Sequence, residues 1–143
     1  MNKWLTNTQT CRFGISLMNV RDNEVTPVYV SRGEIWQADL HGSIGNEIKY
    51  ERLVVVVSPD EVGILPIAIV CPITEWKDYF ANNIWHVRLE PDDTNGLTKL
   101  SAVDTLQLRS LSTDTRRFLW KRGRISSPGI MDLISMAIAA VTQ

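Results

Sequence analysis

The chain has 143 residues, 44% of them hydrophobic and 22% charged, with 15 Lys and Arg against 16 Asp and Glu for a formal net charge of −1. That length is one domain's worth of chain, and the composition excludes wholesale disorder. The charge balance excludes an overall polycation, so a nucleic-acid partner has to be met by a local basic face. Cys11 and Cys71 stand far apart without CxxC or Cys/His spacing, which speaks against a disulfide framework or a zinc site. Cys71, inside IAIVCPIT, reads as a small core residue. No stretch approaches the run of about 20 apolar residues that a membrane span needs. The N-terminus has no continuous apolar signal region, so the expected location is the cytoplasm.

Residues 1–30 differ in texture from the rest. They are rich in Asn and Thr, and Trp4, Phe13 and Ile15 are scattered without a period. They read as an N-terminal extension, either a disordered or loose arm or an added edge strand over Val25 to Val30, where Pro27 suits an edge. Met18 offers an alternative start. The orderly domain runs from 31 to 143.

Within it the pattern is mainly β. Arg32 to Leu40 (RGEIWQADL) predicts a first strand. Leu53 to Val57 is a β-branched run without helical period and predicts a buried central strand. Leu65 to Ile73 predicts another, with Pro66 and Pro72 near its ends. Ile84 to Leu89 alternates as a half-buried strand, His86 sharing a face with Arg88 and therefore expected in solvent. Asp92 to Gly96 predicts a turn in which Asn95-Gly96 accepts positive φ. Ser101 to Leu111 predicts a further strand. Ser127-Pro128 supplies an N-cap and a first-turn proline. Apolar residues then fall at Ile130, Leu133, Ile134, Met136, Ala137, Ile138 and Val141, the stripe of an amphipathic helix. Strands first and one helix last imply a small barrel-like β domain closed by a C-terminal helix, an α+β arrangement.

Few residues advertise chemistry. No GxSxG, Walker, Rossmann or HExxH pattern occurs, and Asp60-Glu61 and Asp92-Asp93 sit in turn-like text. His41 and His86 have no evident reason to meet. The Gly-containing, charged loop from His41 to Arg52 stands out because Arg52 lies at the mouth of the buried run. A guanidinium held there can present two N–H groups to a phosphate, or can simply mark the strand's solvent end. Thr74 closes its strand as Arg52 opens the likely neighbour. Antiparallel pairing of the two makes the side chains converge, the Thr74 hydroxyl adding a second phosphate donor. Finally, Arg116, Arg117, Lys121, Arg122 and Arg124 form a basic run interleaved with Phe118 and Trp120. This suits a single-stranded nucleic-acid surface, or equally a solvated hairpin with aromatics turned inward.

RGEIWQADL, the loop GNE ahead of Arg52, RLVVVVS, IVCPIT and NGLTKLSAVDTLQLRSL occur in the order and rough spacing of the MazF/PemK family, toxins of bacterial toxin–antitoxin pairs. The chain resembles that family over about residues 31 to 143. The resemblance implies an SH3-like β-barrel with helices, a homodimer, and sequence-specific cleavage of single-stranded RNA without metal or other cofactor. The products it implies are 2′,3′-cyclic phosphate and 5′-hydroxyl ends, and it implies neutralisation by a cognate antitoxin protein. It carries the family's key arginine onto Arg52 and its key threonine onto Thr74, and places Gln107 in substrate contact. Asn46, Glu47 and Lys49 fall in the loop that moves over RNA in relatives. Arg116, Arg117 and Lys121 are the expected RNA-binding cations of the basic run.

Three departures stand against the family pattern. Leu53 replaces the usual Pro after the arginine. Leu106 and Asp104 stand where the PemK branch has its Asp base and assisting Arg. Glu47 is then the substitute candidate for deprotonation. The alternatives are a catalytically silent member that binds RNA or antitoxin only, or a toxin like CcdB, of the same fold, which binds DNA gyrase through a C-terminal helix ending Trp-Gly-Ile. This chain ends AAVTQ, which argues against the last.

Overall fold

The run Leu53-Val-Val-Val-Val57 is apolar without alternation because both faces of its strand are buried. A computed structural model describes residues 26–61 and 65–143. In it the run lies in β2 (Glu51–Val56), between β1 (Glu34–Asp39) and β3 (Ile67–Glu75). Val55 and Val57 enter one core with Ile35, Cys71, Ile73, Val87, Leu89 and Val103. Val54 and Val56 enter a second core with Ala38, Leu40, Ala68, Val70, Leu111 and Phe118. Burying Val54 to Val57, with Leu53 partly buried beside them, removes the polar positions that alternation needs.

The remaining strands are β4 (His86–Leu89), β5 (Ser101–Asp104), β6 (Arg109–Ser112) and β7 (Phe118–Arg124). All pairings are antiparallel, in the order β4-β5-β3-β2-β1-β7, with β6 beside the first half of β3. The two end strands are joined through the turn that follows β4. Arg124 N–H donates to the Thr94 carbonyl (2.9 Å) and the Arg122 guanidinium to the Gly96 carbonyl (2.8 Å). The sheet thereby curls into a barrel.

Gly96 and Gly123 make this seam possible. Gly96 has φ +70°, and a Cβ there would lie 2.3 Å from the Arg122 carbonyl oxygen. A Cβ on Gly123 would lie 2.3 Å from the Thr94 oxygen. Only hydrogen fits between the two backbones.

The helix α1 (Pro128–Thr142) begins where Ser127 Oγ accepts from the Ile130 amide, with Pro128 in the first turn. It covers the first core with Met131, Ile134 and Ala137. Leu133 and Met136, expected on the apolar stripe, are 50% and 66% exposed. Among the described residues no helix is long and apolar enough to cross a membrane.

Three expectations are corrected. Ser101 to Leu111 is not one strand: a 3₁₀ turn, Thr105–Gln107, separates β5 from β6. Asp104 imposes the break by accepting from the Leu106 amide, and Thr105 Oγ1 anchors it by donating to the Trp85 carbonyl (2.8 Å). Pro72 is interior to β3 rather than near its end. It is tolerated because the ladder to β6 stops at Val70↔Arg109 and that to β5 starts at Ile73↔Val103, leaving Pro72 without a partner on that edge. His86 is not solvated. Its side chain is 7% exposed, stacked on Phe80 at 3.8 Å between ring centres.

Of the N-terminal segment, Trp4, Cys11, Phe13, Ile15, Met18 and Val25 lie outside the described residues. Pro27 forms a bridge with Asp114, and the Val28 amide donates to the Thr113 carbonyl. Val28 and Val30 pack against the second core.

Candidate functional site

The β2–β3 register is Val54↔Pro72, Val55↔Cys71 and Val56↔Val70. The ladder ends at Val54↔Pro72; extended by two residues it would set Arg52 opposite Thr74. Side chains two apart on a strand share a face, so both lie on the face of Val54 and Pro72. Arg52 is exposed and Thr74 half-buried. Arg52 has no carboxylate partner among the described residues.

The loop from His41 to Tyr50 closes over this end. Its ends are tied by the Leu40 amide donating to the Tyr50 carbonyl (2.8 Å). Tyr50 holds φ +64°, a conformation costly for a side chain with a Cβ. Its ring meets the His41 ring edge-on at 5.3 Å, and His41 in turn bonds Asp39. Hydrogen bonds from the His41 amide and ring hold the Asp39 carboxyl below its ordinary value. Glu47 accepts from the Ile44 amide (2.8 Å) while its own amide donates to the Ile44 carbonyl (3.2 Å), so its carboxylate shapes the loop tip. Asn46 and Glu47 are exposed, and Lys49 is half-buried.

Beneath the loop runs an open groove of about 390 Å³, lined by Asn46, Glu47, Ile48, Pro72, Gln107 and Arg109 among others. Gln107 bridges its two walls. Its Oε1 accepts from the Ile48 amide and its Nε2 donates to the Asn46 carbonyl (3.3 Å). Leu106, where the PemK branch has its base, is 59% exposed and lines the same groove. Asp104 is turned away: its carboxylate faces the Leu106 amide and His86, whose Nε2 lies 3.8 Å from it.

The structure therefore brings Asn46, Glu47 and Gln107 into one groove, whose lining does not include Arg52 or Thr74. The basic run does not line the groove, and several of its cations are engaged locally. Arg116 pairs with Asp114, the Arg117 guanidinium donates to the Asp39 and His41 carbonyls, and Lys121 pairs with Glu34 at 2.8 Å. Phe118 is core, whereas Trp120 is half exposed. Sequence reasoning missed Arg109, a groove cation whose text, LRSL, looks like any strand start. The pairing Val70↔Arg109 places it on the face of Pro72 and Thr74.

Comparison with known proteins agrees with this architecture. Solved structures of the same fold include MazF of Deinococcus radiodurans, 18% identical at a TM-score of 0.60, the match covering 81% of this chain and 97% of that one. A mycobacterial endoribonuclease is 16% identical at 0.57, covering 78% and 89%. The Deinococcus radiodurans MazE–MazF complex is 19% identical at 0.51, covering 81% and 94%. No curated protein matches the chain. Residues 31–142 match the model of the PemK-like, MazF-like toxins of type II toxin–antitoxin systems. The chain belongs to that family.

Proposed function

We propose that this toxin is a metal-independent endoribonuclease that cleaves single-stranded RNA in a sequence-specific way. The observation that carries the reading is the β2–β3 register, which when extended by two residues sets Arg52 opposite Thr74, with a groove of about 390 Å³ under the loop that precedes Arg52. An exposed guanidinium without a carboxylate partner among the described residues is a ready phosphate ligand.

In the proposed reaction the ribose 2′-hydroxyl attacks the adjacent phosphorus as its proton leaves to a base. The bond to the 5′-oxygen breaks, and that oxygen takes up a proton, giving a 2′,3′-cyclic phosphate and a 5′-hydroxyl. Arg52 stabilises the charge that grows on the phosphoryl oxygens, and the Thr74 hydroxyl donates to one of them. Leu106 has no proton to exchange, so Glu47, a residue of the groove's lining, takes the role of base. Asn46, Lys49 and Gln107 contact the RNA from the loop and the turn, and Arg116, Arg117 and Lys121 extend its path electrostatically. Base-edge contacts in the groove set the sequence preference. A second copy of the chain completes a homodimer, and an acidic, disordered antitoxin segment lies across the groove to block it. The setting is the cytoplasm, where both RNA and antitoxin are made.

The test is incubation of the purified chain, free of antitoxin, with two unrelated long single-stranded RNAs in EDTA, beside Arg52→Ala. Fragments with 5′-hydroxyl ends are expected from the wild type, and a rate lower by about 10²–10³ from the variant. A folded wild type that leaves both RNAs intact refutes the enzyme reading in favour of a binder.

A further inference from the structure

Arg109 is the groove cation that no family assignment above uses. It opens β6, half-buried, and its pairing with Val70 puts it on the face that carries Pro72, Thr74 and Arg52. Among the described residues no carboxylate lies within ion-pair distance of it. Its one side-chain bond runs from the guanidinium to Ser43 Oγ (2.6 Å), and that hydroxyl donates onward to the Leu40 carbonyl (2.8 Å). A half-buried positive charge is thus held by a neutral hydroxyl alone. Such an arrangement leaves most of the guanidinium's donors, and all of its charge, available to an anion.

Its neighbours indicate which anion. Pro72, Ile48, Leu106 and Leu108 give the groove apolar walls beside Arg109, and the Asn46, Glu47 and Gln107 side chains give it polar ones. An apolar slot with a cation at its edge matches a nucleotide, base in the slot and phosphate on the guanidinium. From Val70, beside Arg109, to Thr74 the strand advances four residues, about 13 Å. Arg109 therefore enters the site well along the strand from Arg52 and Thr74, so a neighbouring phosphate is assigned to it rather than the one cleaved.

We infer that Arg109 is an RNA-binding residue that holds a phosphate flanking the one cleaved, with the attached base in the groove against Pro72, Leu106 and Leu108. The inference rests on the ribonuclease reading. When the phosphate arrives, it takes guanidinium donors and Ser43 keeps its bond to Leu40, so the loop remains tied.

The test uses an oligonucleotide that spans a site cut by the wild type, 2′-O-methylated throughout so that it binds uncut. Its Kd is followed against NaCl by fluorescence anisotropy for wild type, Arg109→Ala, Arg109→Lys and Ser43→Ala, with thermal melts to confirm folding. Arg109→Ala is expected to weaken binding by on the order of 10- to 100-fold and to lower the slope of log K against log salt by about 0.7. Arg109→Lys restores the slope, because it restores the charge. Ser43→Ala keeps the slope, because it removes none. An Arg109→Ala protein that folds and binds with wild-type affinity and slope overturns the assignment. So does one whose weakening comes with an unchanged slope, as loss of the Ser43 tie alone would give. A wild type that cuts neither RNA in the preceding experiment sinks the ribonuclease reading itself, a different result from wild-type cutting with an indifferent Arg109.

Discussion

Gln107 holds Ile48 at a distance of 59 residues in sequence: its Oε1 accepts from the Ile48 amide at 2.5 Å while its Nε2 donates to the neighbouring Asn46 carbonyl. One amide side chain on a three-residue turn therefore fixes the loop over the groove. Removing it as Gln107→Ala takes away both bonds, worth about 1 kcal/mol each. Hydrogen exchange at the Ile48 amide is expected to accelerate by on the order of 10-fold. Gln107→Glu keeps the acceptor for Ile48 but sets a carboxylate against the Asn46 carbonyl, so it should protect the Ile48 amide while loosening Asn46. Unchanged protection of Ile48 in the Ala variant would show that the loop holds itself.

The seam that closes the barrel predicts an unequal response among glycines. Gly96→Ala meets both the Arg122 carbonyl and a φ of +70°, and Gly123→Ala meets the Thr94 carbonyl. Each should cost on the order of 2–4 kcal/mol in urea unfolding. Gly42 has φ +96° but nothing within 4 Å of its would-be Cβ. Gly42→Ala should cost only the backbone part, about 1 kcal/mol. Equal losses at Gly42 and Gly96 would contradict the close approach.

His86 predicts a pH dependence. Burial lowers its pKa below the ordinary 6.5, the nearby Asp104 carboxylate opposing in part. The unfolded chain then takes up a proton more readily than the folded one. The stability that results is fully present above the unfolded value and is lost as pH falls from about 6.5 through the folded pKa. Urea midpoints should drop across that window in wild type and stay flatter in His86→Gln. The carboxyl of Asp39 is also held below its ordinary value, in the acid range, so its loss falls at lower pH. A midpoint that rises on acidification through this window would contradict a neutral, buried His86.

Cys71 is wholly buried, and burial pushes its thiol up to about 12, the Asp104 carboxylate adding to the shift. Only the thiolate reacts with alkylating agents. Peptide mass mapping at about pH 8 should find Cys71 unmodified in the folded chain and labelled in denaturant. Rapid labelling under native conditions would place it outside the core.

Much of this was legible because it depends on local text. The all-apolar run before Ser58 marks a strand buried on both faces, and Ser127-Pro128 marks a capped helix start; both are found. Any approach of Arg52 to Thr74 depends on one further fact, the antiparallel pairing of β2 and β3, which only the register supplies. Ser101 to Leu111 misled because strand propensity continues through Leu106 and Leu108, while the break comes from Asp104 and from Thr105 reaching Trp85 twenty residues away. His86 misled in the same way: it shares a strand face with exposed Arg88, but Phe80 folds over it from a separate 3₁₀ segment, Asp78–Asn82. Contacts of that range leave no mark on neighbouring residues.

The junction of Thr94 and Gly96 with β7 also governs how the protein fails. A strand edge that is covered offers less unpaired backbone to other molecules. β4 and β7 end the strand order, so once the two glycine contacts are lost the far end of β7 is uncovered on the strand that carries the half-exposed Trp120. Variants at Gly96 and Gly123 should therefore precipitate as well as unfold, whereas the Gly42 variant should melt cleanly and stay in solution.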